Sequence, residues 1–394
     1  MRSPRLTIAS SAGNFAGWVS RFSGRGRGET IRGRALLALY PRALTELAKD
    51  RDIILVSGTN GKTTTTANLA RILADGTDEL VSTSTFGANM SAGIAAALME
   101  KPAHRLVVLE CDELYLPEMY NALAPKVIVL LNLSRDQLHR TGEVRKVAAL
   151  WRKTFTRDDV TLVIDRDDPF LEYAAGDAGH VLRVTFGGRR HPDAATCPAC
   201  ADLLSWATGD YECPCGLGSH LAQVRGDHRL SGPARNTVLA IEAARLMGGV
   251  VPVETAQELT EQAPDRVSTY HVGGIAVETR LAKNPESWRV ALESITSSDV
   301  ILAVNARGID GLDTSWLWDV DYSPLLGKRV VCTGERRLDA AYRLHVQGIN
   351  VEVGHTFAQA VSSSDKPVQA IASYTAFQDL AAQELGLRRA GGRQ

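Results

Sequence analysis

Residues 57–66 read SGTNGKTTTT, and they bring together the residue types that hold phosphate: glycines, a lysine and a run of hydroxyls. A glycine turn that opens a helix points backbone N–H groups at an anion. Lys62 is placed to neutralise the β- and γ-phosphates, and the hydroxyl of Thr63 or Thr64 to ligate Mg²⁺. The spacing departs from the standard P-loop, which needs four residues between its glycines. Here Gly58 and Gly61 enclose only Thr59 and Asn60, and Val56 stands where the first glycine is expected.

A bound Mg²⁺ also calls for a carboxylate. The run VVLECDE offers Glu110 where an apolar run ends, with Asp112 and Glu113 behind it. A third polar cluster follows another apolar run in LLNLSRDQLHRTGE (130–143), with Asn132, Arg135, Asp136, Gln137, His139 and Arg140. Cysteines form a separate constellation: CPAC (197–200) and CPC (213–215). Two such knuckles are expected to gather Cys197, Cys200, Cys213 and Cys215 around one structural Zn²⁺. The second knuckle is tight for chelation, so His191 or His220 is an alternative ligand to one of the thiolates.

These groups need a frame. RDIILVSG (51–58) reads as a buried strand, and KTTTTANLARILADG as the helix that the phosphate loop opens. HRLVVLE, PKVIVLLNL, VTLVIDRDD and VLRVTFG continue the strand pattern, with helical segments between most of them. Continuous apolar strands alternating with helices predict a parallel α/β sheet covered on both faces. Ligands bind such sheets at the carboxyl ends of the strands, which is where all three polar clusters fall. Residues 188–224 interrupt the rhythm as a cysteine-rich insert, and ARNTVLAIEAARLMGG (234–249) resumes it. The stretch 262–274 reads as a linker or as the entry to a second, smaller domain. There DVILAVN, RVVCTG, INVEVG and VQAIAS are strands, separated by helical runs in a Rossmann-like alternation.

The whole chain has 394 residues, 44% hydrophobic and 23% charged, with a net charge of −1. Two or three soluble domains fit that length. The charge balance gives no reason to expect a nucleic-acid partner. No run is apolar enough for a membrane span or a secretory signal, and a reducing cytoplasm is expected. One local bias stands out: residues 1–34 carry seven arginines and a single acid, Glu29. Phe15, Trp18, Val19 and Phe22 fall at helical spacing beside them, the pattern of a helix that packs by one face or visits an anionic membrane surface.

Taken together, SGTNGKTTT, LECDE, NLSRDQLHRTGE and ARNTVLAIEAA resemble the Mur ligase family. The resemblance implies ATP-dependent conversion of a carboxylate into an acyl phosphate that an amine attacks. It implies cofactor contacts from Gly58, Thr59, Asn60, Gly61, Lys62, Thr63, Thr64 and Asn236, the last near the adenine. It also puts Glu110 and Thr63 on Mg²⁺, and makes Lys62, Glu110 and His139 catalytic. The expected fold is a Mur ligase-type central ATPase domain (51–266) carrying the zinc ribbon-like insert (188–224). A helical segment (1–50) precedes it and a Rossmann-like α/β domain (267–394) follows.

Departures are informative. The family's DHLD is DQLH here, so Gln137 stands at the usual His position and His139 at the usual Asp. Trp151 or Arg152 stands where many members carry a carbamylated lysine, with Lys153 just beyond. Only about 55 residues precede the loop, which leaves no room for the family's UDP-binding domain. The missing domain, the cysteine insert, LAKNP (Lys283, Asn284, Pro285) and DGLDTSWLWDVD resemble an amidating branch of the family. That branch implies amidation of the D-glutamate α-carboxyl of lipid II with ammonia from a GatD-type glutamine amidotransferase. Cys111 and Cys332 lie in or beside apolar strands and do not look like glutaminase nucleophiles. A separate subunit is therefore expected to make the ammonia, with Asp310, Asp313 or Asp319 orienting its catalytic histidine. Another amide ligase of the superfamily, or a nucleotide-binding scaffold, are the alternatives.

Overall fold

Why the apolar runs become strands is visible in their burial: Ile53 through Val56 and Leu106 through Leu109 are all at most 3% exposed. A computed structural model describes residues 3–22, 29–84, 89–136, 142–176, 178–187, 190–207, 210–261, 267–307, 313–364 and 366–391. It divides into two compact units, residues 1–134 with 143–263, and residues 135–142 with 264–394.

The first unit is built on seven strands: β1 (Asp52–Ser57), β2 (Val81–Thr83), β3 (Leu106–Glu110), β4 (Val127–Leu130), β5 (Thr161–Asp165), β6 (His180–Thr185) and, across the sheet edge, Val224–Arg225. The order is β2-β3-β1-β4-β5-β6 and then Val224–Arg225, every pair parallel. The chain leaves β1 toward one side and returns past it to β4. That reversal opens a crevice at the carboxyl ends of β1, β3 and β4. Helix Lys62–Gly76 packs one sheet face through Leu69, Ile72 and Leu73, together with Gly232–Leu246 through Leu239, Ala240 and Ala243. The opposite face is covered by Leu116–Leu123 and Val144–Thr154, whose Met119, Tyr120, Leu123 and Trp151 enter the larger core.

Three helices precede β1: α1 (Pro4–Phe22), α2 (Glu29–Leu39) and α3 (Ala43–Ala48). Helix α1 buries Leu6 and Ala9 but leaves Phe15, Trp18 and Phe22 exposed, Phe22 at 85%. Its rings stack along the helix, Phe15 to Trp18 at 6.0 Å and Trp18 to Phe22 at 5.7 Å between centroids. Helix α2 sits against Ser91–Glu100 at backbone contact distance. A Cβ on Gly33 would lie 1.7 Å from the carbonyl oxygen of Ala92, so only glycine fits. Among the described residues no helix is long and apolar enough to cross a membrane.

The cysteine-rich insert makes a small hairpin, Ser205–Ala207 against Asp210–Glu212. Arg166, just after β5, is its anchor. The guanidinium donates to the carbonyls of His220 at 2.6 Å and Gly218 at 2.5 Å, and pairs with Asp210 at 2.8 Å.

In the second unit six strands run Val267–Val272, Ile275–Leu281, Val368–Ala372, Asp299–Ala303, Arg329–Thr333 and Val351–Val353 in spatial order. The first pair is antiparallel and the rest are parallel. From residue 267 on, the stretch read as a linker or domain entry enters this unit as an edge strand, Val267–Val272. Gly273 and Gly274, at φ 59° and 84°, make the two-residue turn that closes a hairpin. Asn284 caps helix Pro285–Glu293 in a reciprocal box with Ser287, which gives the Asn-Pro pair a structural part. Trp288 packs against Trp316 and Tyr322, while Trp318 stays half exposed against Tyr342.

Candidate functional site

The turn after β1 is shaped by its glycines. Gly58 and Gly61 take φ values of 137° and 87°, a region that side chains disfavour. Gly61 is also pressed against Asn236, whose Nδ2 would lie 2.2 Å from an added Cβ. Asn132, just past β4, braces the loop from the other side. Its Oδ1 accepts from Asn60 N at 2.9 Å, its Nδ2 donates to Asn60 O at 3.0 Å, and its carbonyl accepts from Thr59 N at 2.9 Å. Ser134 N donates to Thr59 Oγ1 at 3.0 Å. The loop is therefore held open by its neighbours, with helix Lys62–Gly76 starting directly behind it.

Two carboxylates meet this loop at the end of β3. Glu110 accepts from the Thr63 hydroxyl at 2.8 Å and from Asn89 Nδ2 at 3.4 Å. Glu113 pairs with Lys62 Nζ at 3.1 Å. Lys62 also donates to the carbonyls of Gly58 and Thr59, and its side chain is only 9% exposed. Trp151, at the position compared above with the family's lysine, is fully buried and donates its indole N–H to the Glu113 carbonyl at 2.9 Å. Of the two threonines, Thr63 is the one that reaches Glu110.

The structure thus brings Gly58, Thr59, Asn60, Gly61, Lys62, Thr63, Glu110 and Asn236 to one crevice. His139 and Gln137 lie outside the described residues, as does Asp310. Asp313 and Asp319 belong to the second unit: Asp313 accepts from Ser315 N at 2.9 Å, and Asp319 pairs with Arg135 at 2.8 Å. In the same unit Lys283 donates to Asp136 at 2.9 Å.

Sequence reading passed over a buried ionic group beside Asn236. Arg235 stacks over Phe186 at 4.9 Å and lies 3.8 Å from Asp167 and 3.9 Å from Asp165. Burial, then repulsion from Asp167, pushes the Asp165 carboxyl up to about 8 against the pull of Arg235. The signal was present in Asp165 and Asp167 at the end of an apolar run, VIDRDD, but their arginine is about 70 residues away and only the fold joins them.

The four cysteine sulfurs lie within 4.8 Å of one another. Cys200 to Cys213 is 3.3 Å, Cys213 to Cys215 3.4 Å and Cys197 to Cys215 3.6 Å. Thiolates around one tetrahedral Zn²⁺ stand about 3.8 Å apart, so the donor set fits that ion. Both histidines are engaged elsewhere: His220 Nδ1 is 2.5 Å from Glu172, and His191 Nε2 is 3.5 Å from Asp168. Burial raises the Cys111 thiol well above its ordinary range and pushes Cys332 up to about 12, so neither is poised as a nucleophile.

A parallel sheet with a phosphate loop and acidic strand ends defines an ATPase-type α/β enzyme core. Residues 56–197 match the Mur ligase middle domain and residues 281–377 the MurT ligase C-terminal domain. The chain is thus similar to Mur ligases in both its central and its C-terminal part. It is 27% identical to the lipid II isoglutaminyl synthase (glutamine-hydrolyzing) subunit MurT of Streptococcus pneumoniae, covering 88% of this chain and 89% of that one. Among solved structures it resembles MurF from Acinetobacter baumannii, at TM-score 0.62 and 18% identity over 90% of this chain and 80% of that one. It also resembles FolC from E. coli in complex with ADP, at TM-score 0.55 and 16% identity over 89% and 94%.

The raised Asp165 carboxyl gives a pH test. Between about pH 4 and pH 8 the folded chain keeps a proton that the unfolded chain has lost, so this group lowers stability as pH rises, by at most about 1.4 kcal/mol per unit. Asp165→Asn is expected to flatten that decline in urea melts run from pH 5 to pH 8. An unchanged slope would show that Asp165 is ionised in the folded state.

Proposed function

We propose that this chain is the ligase subunit of a lipid II isoglutaminyl synthase, amidating the D-glutamate α-carboxyl of the stem peptide to D-isoglutamine. The observation that carries the reading is the phosphate loop with its two acids in a chain that aligns along most of its length with MurT subunits. In the reaction a carboxylate oxygen attacks the γ-phosphorus of ATP and ADP leaves. Ammonia nitrogen then attacks the acyl-phosphate carbon, phosphate leaves and an amide remains. The backbone N–H groups of Gly61 and Lys62, where the loop opens the helix, would cradle the phosphates, and Lys62 would neutralise the charge that develops on them. Thr63 and Glu110 would hold Mg²⁺, which supplies charge neutralisation when bound. Asn236 would meet the adenine, while Thr59, Asn60 and Thr64 complete the loop. His139 or Arg140 would touch the substrate carboxylate or its phosphate.

Ammonia is scarce at neutral pH, because the amine is protonated. With Cys111 and Cys332 buried, we assign its release to a GatD-type glutamine amidotransferase. Trp318, Tyr342, Leu338 and Val346 are all at least half exposed on the second unit and suit a protein partner. Asp310, Asp313 and Asp319 are the acids offered to its histidine. The sulfur cluster supports a structural Zn²⁺ on Cys197, Cys200, Cys213 and Cys215 that staples the insert. The aromatic stripe of α1, flanked by the N-terminal arginines, supports peripheral contact with an anionic membrane, where the lipid-linked substrate lies.

Three measurements test these assignments. Co-expressed with the glutaminase and given ATP, Mg²⁺, glutamine and lipid II, the chain should yield a product lighter by about one dalton. Ammonium salt should replace glutamine, and Lys62→Ala should lose at least about 100-fold in rate while staying folded. ATP binding without product from either nitrogen source would sink the ligase reading. Metal analysis should find one zinc per chain, and Cys197→Ser should lose it together with several degrees of thermal stability; a zinc-free, equally stable wild type would refute the staple. Phe15→Ser/Trp18→Ser/Phe22→Ser should cut sedimentation with anionic vesicles by about tenfold or more, and sedimentation equal to wild type would remove the membrane contact.

A further inference from the structure

Glu113 has no part in the reaction just described, yet it is the only acid among the described residues that forms an ion pair with Lys62. The ammonium has three protons to donate. They go to Gly58 O, Thr59 O and Glu113 Oε2. Both side chains of the pair are nearly buried, Lys62 at 9% and Glu113 at 11% exposure. Lys62 can therefore reach a phosphate only by giving up partners it already has.

Breaking the ion pair is the costly part. Among the described residues Glu113 has no second cation, and removing one member of a buried pair strands the other. The neighbouring Glu110 gives no relief, because its partners are the neutral Thr63 hydroxyl and Asn89 amide. Phosphates that arrive alone would then place further negative charge beside two carboxylates and a single lysine. Phosphates that arrive with a divalent cation bring the compensating charge along. Trp151 holds the Glu113 backbone in place from behind, so the side chain is not free to swing away with its segment.

We propose that Glu113 makes nucleotide binding conditional on a divalent cation, by holding Lys62 until phosphate and metal arrive together. Glu113 is in this sense a positioning residue for the phosphate loop: it works through Lys62. The device rests on the nucleotide-site reading above. It protects the loop against metal-free nucleotide, a ligand that would occupy the site without being able to react.

The test is the affinity of the full chain for a non-hydrolysable ATP analogue, measured by calorimetry with Mg²⁺ and again with EDTA. Wild type should bind the magnesium complex at least about 30-fold more tightly than the free nucleotide. Glu113→Gln should bind the free nucleotide about tenfold better than wild type while the magnesium complex changes by less than about threefold, so the ratio collapses. Glu113→Asp, which keeps the charge, should restore most of the wild-type ratio. Adenosine has no phosphate to compete for Lys62 and should bind equally with and without metal. A Glu113→Gln ratio equal to wild type would overturn the proposal. So would a wild type that binds free and magnesium-bound analogue alike, a result that needs no variant to fold. If adenosine binds but the analogue binds under neither condition, the phosphate-site reading falls as well.

Discussion

The brace between Asn132 and the phosphate loop is the contact on which the site depends. Asn132 satisfies the backbone of Asn60 in both directions and of Thr59 once, so the turn after β1 is held by protein groups of its own. Unpaired N–H groups in such a turn would otherwise close on the nearest acceptor. The brace exists because β4 lies directly beside β1 in the sheet, although β2 and β3 intervene in the chain. The reversal in strand order is thus the physical origin of the crevice.

Around that brace charge is distributed unevenly. The loop offers one lysine and the end of β3 offers Glu110 and Glu113, each within hydrogen-bonding reach of a loop side chain. A site with a surplus of acid suits a polyphosphate best in company with a metal ion, and one of these acids, Glu113, shares Lys62 with the Gly58 and Thr59 carbonyls. Behind Asn236 a second buried group, Arg235 with Asp165 and Asp167, is stacked on Phe186. It carries one proton more than acids of that type ordinarily hold near neutral pH, because burial and a neighbouring carboxylate outweigh one arginine.

The insert shows how a segment without a core is held. Four sulfurs gather it at one end, and Arg166 binds its carbonyls at the other. Asp168, two residues on, caps helix Pro169–Ala175 and accepts from Leu133 N at 2.8 Å, next to the bracing Asn132. Insert and phosphate loop are therefore tied into one hydrogen-bonded unit through a short stretch after β5.

Much of this was legible in the chain. Apolar runs gave the strands and their parallel class, since a strand buried on both faces must be apolar throughout. Glycine, lysine and threonine spacing located the phosphate loop, and the paired knuckles located the sulfur cluster, because those functions need their residues close in sequence. Periodicity also placed Phe15, Trp18 and Phe22 on one helix, though not whether that face would be covered. What sequence left undecided were the pairings that cross the sheet: Glu113 with Lys62, Thr63 rather than Thr64 on Glu110, Arg235 with Asp165, and Arg166 with the insert. Each joins residues between about 45 and 70 positions apart, and no local pattern encodes such a distance. Likewise, sequence left Val267–Val272 open between linker and domain entry, because its partner, not its own composition, makes it a strand. Residue type and spacing determined which chemistry the chain carries; strand order decided which of those residues meet.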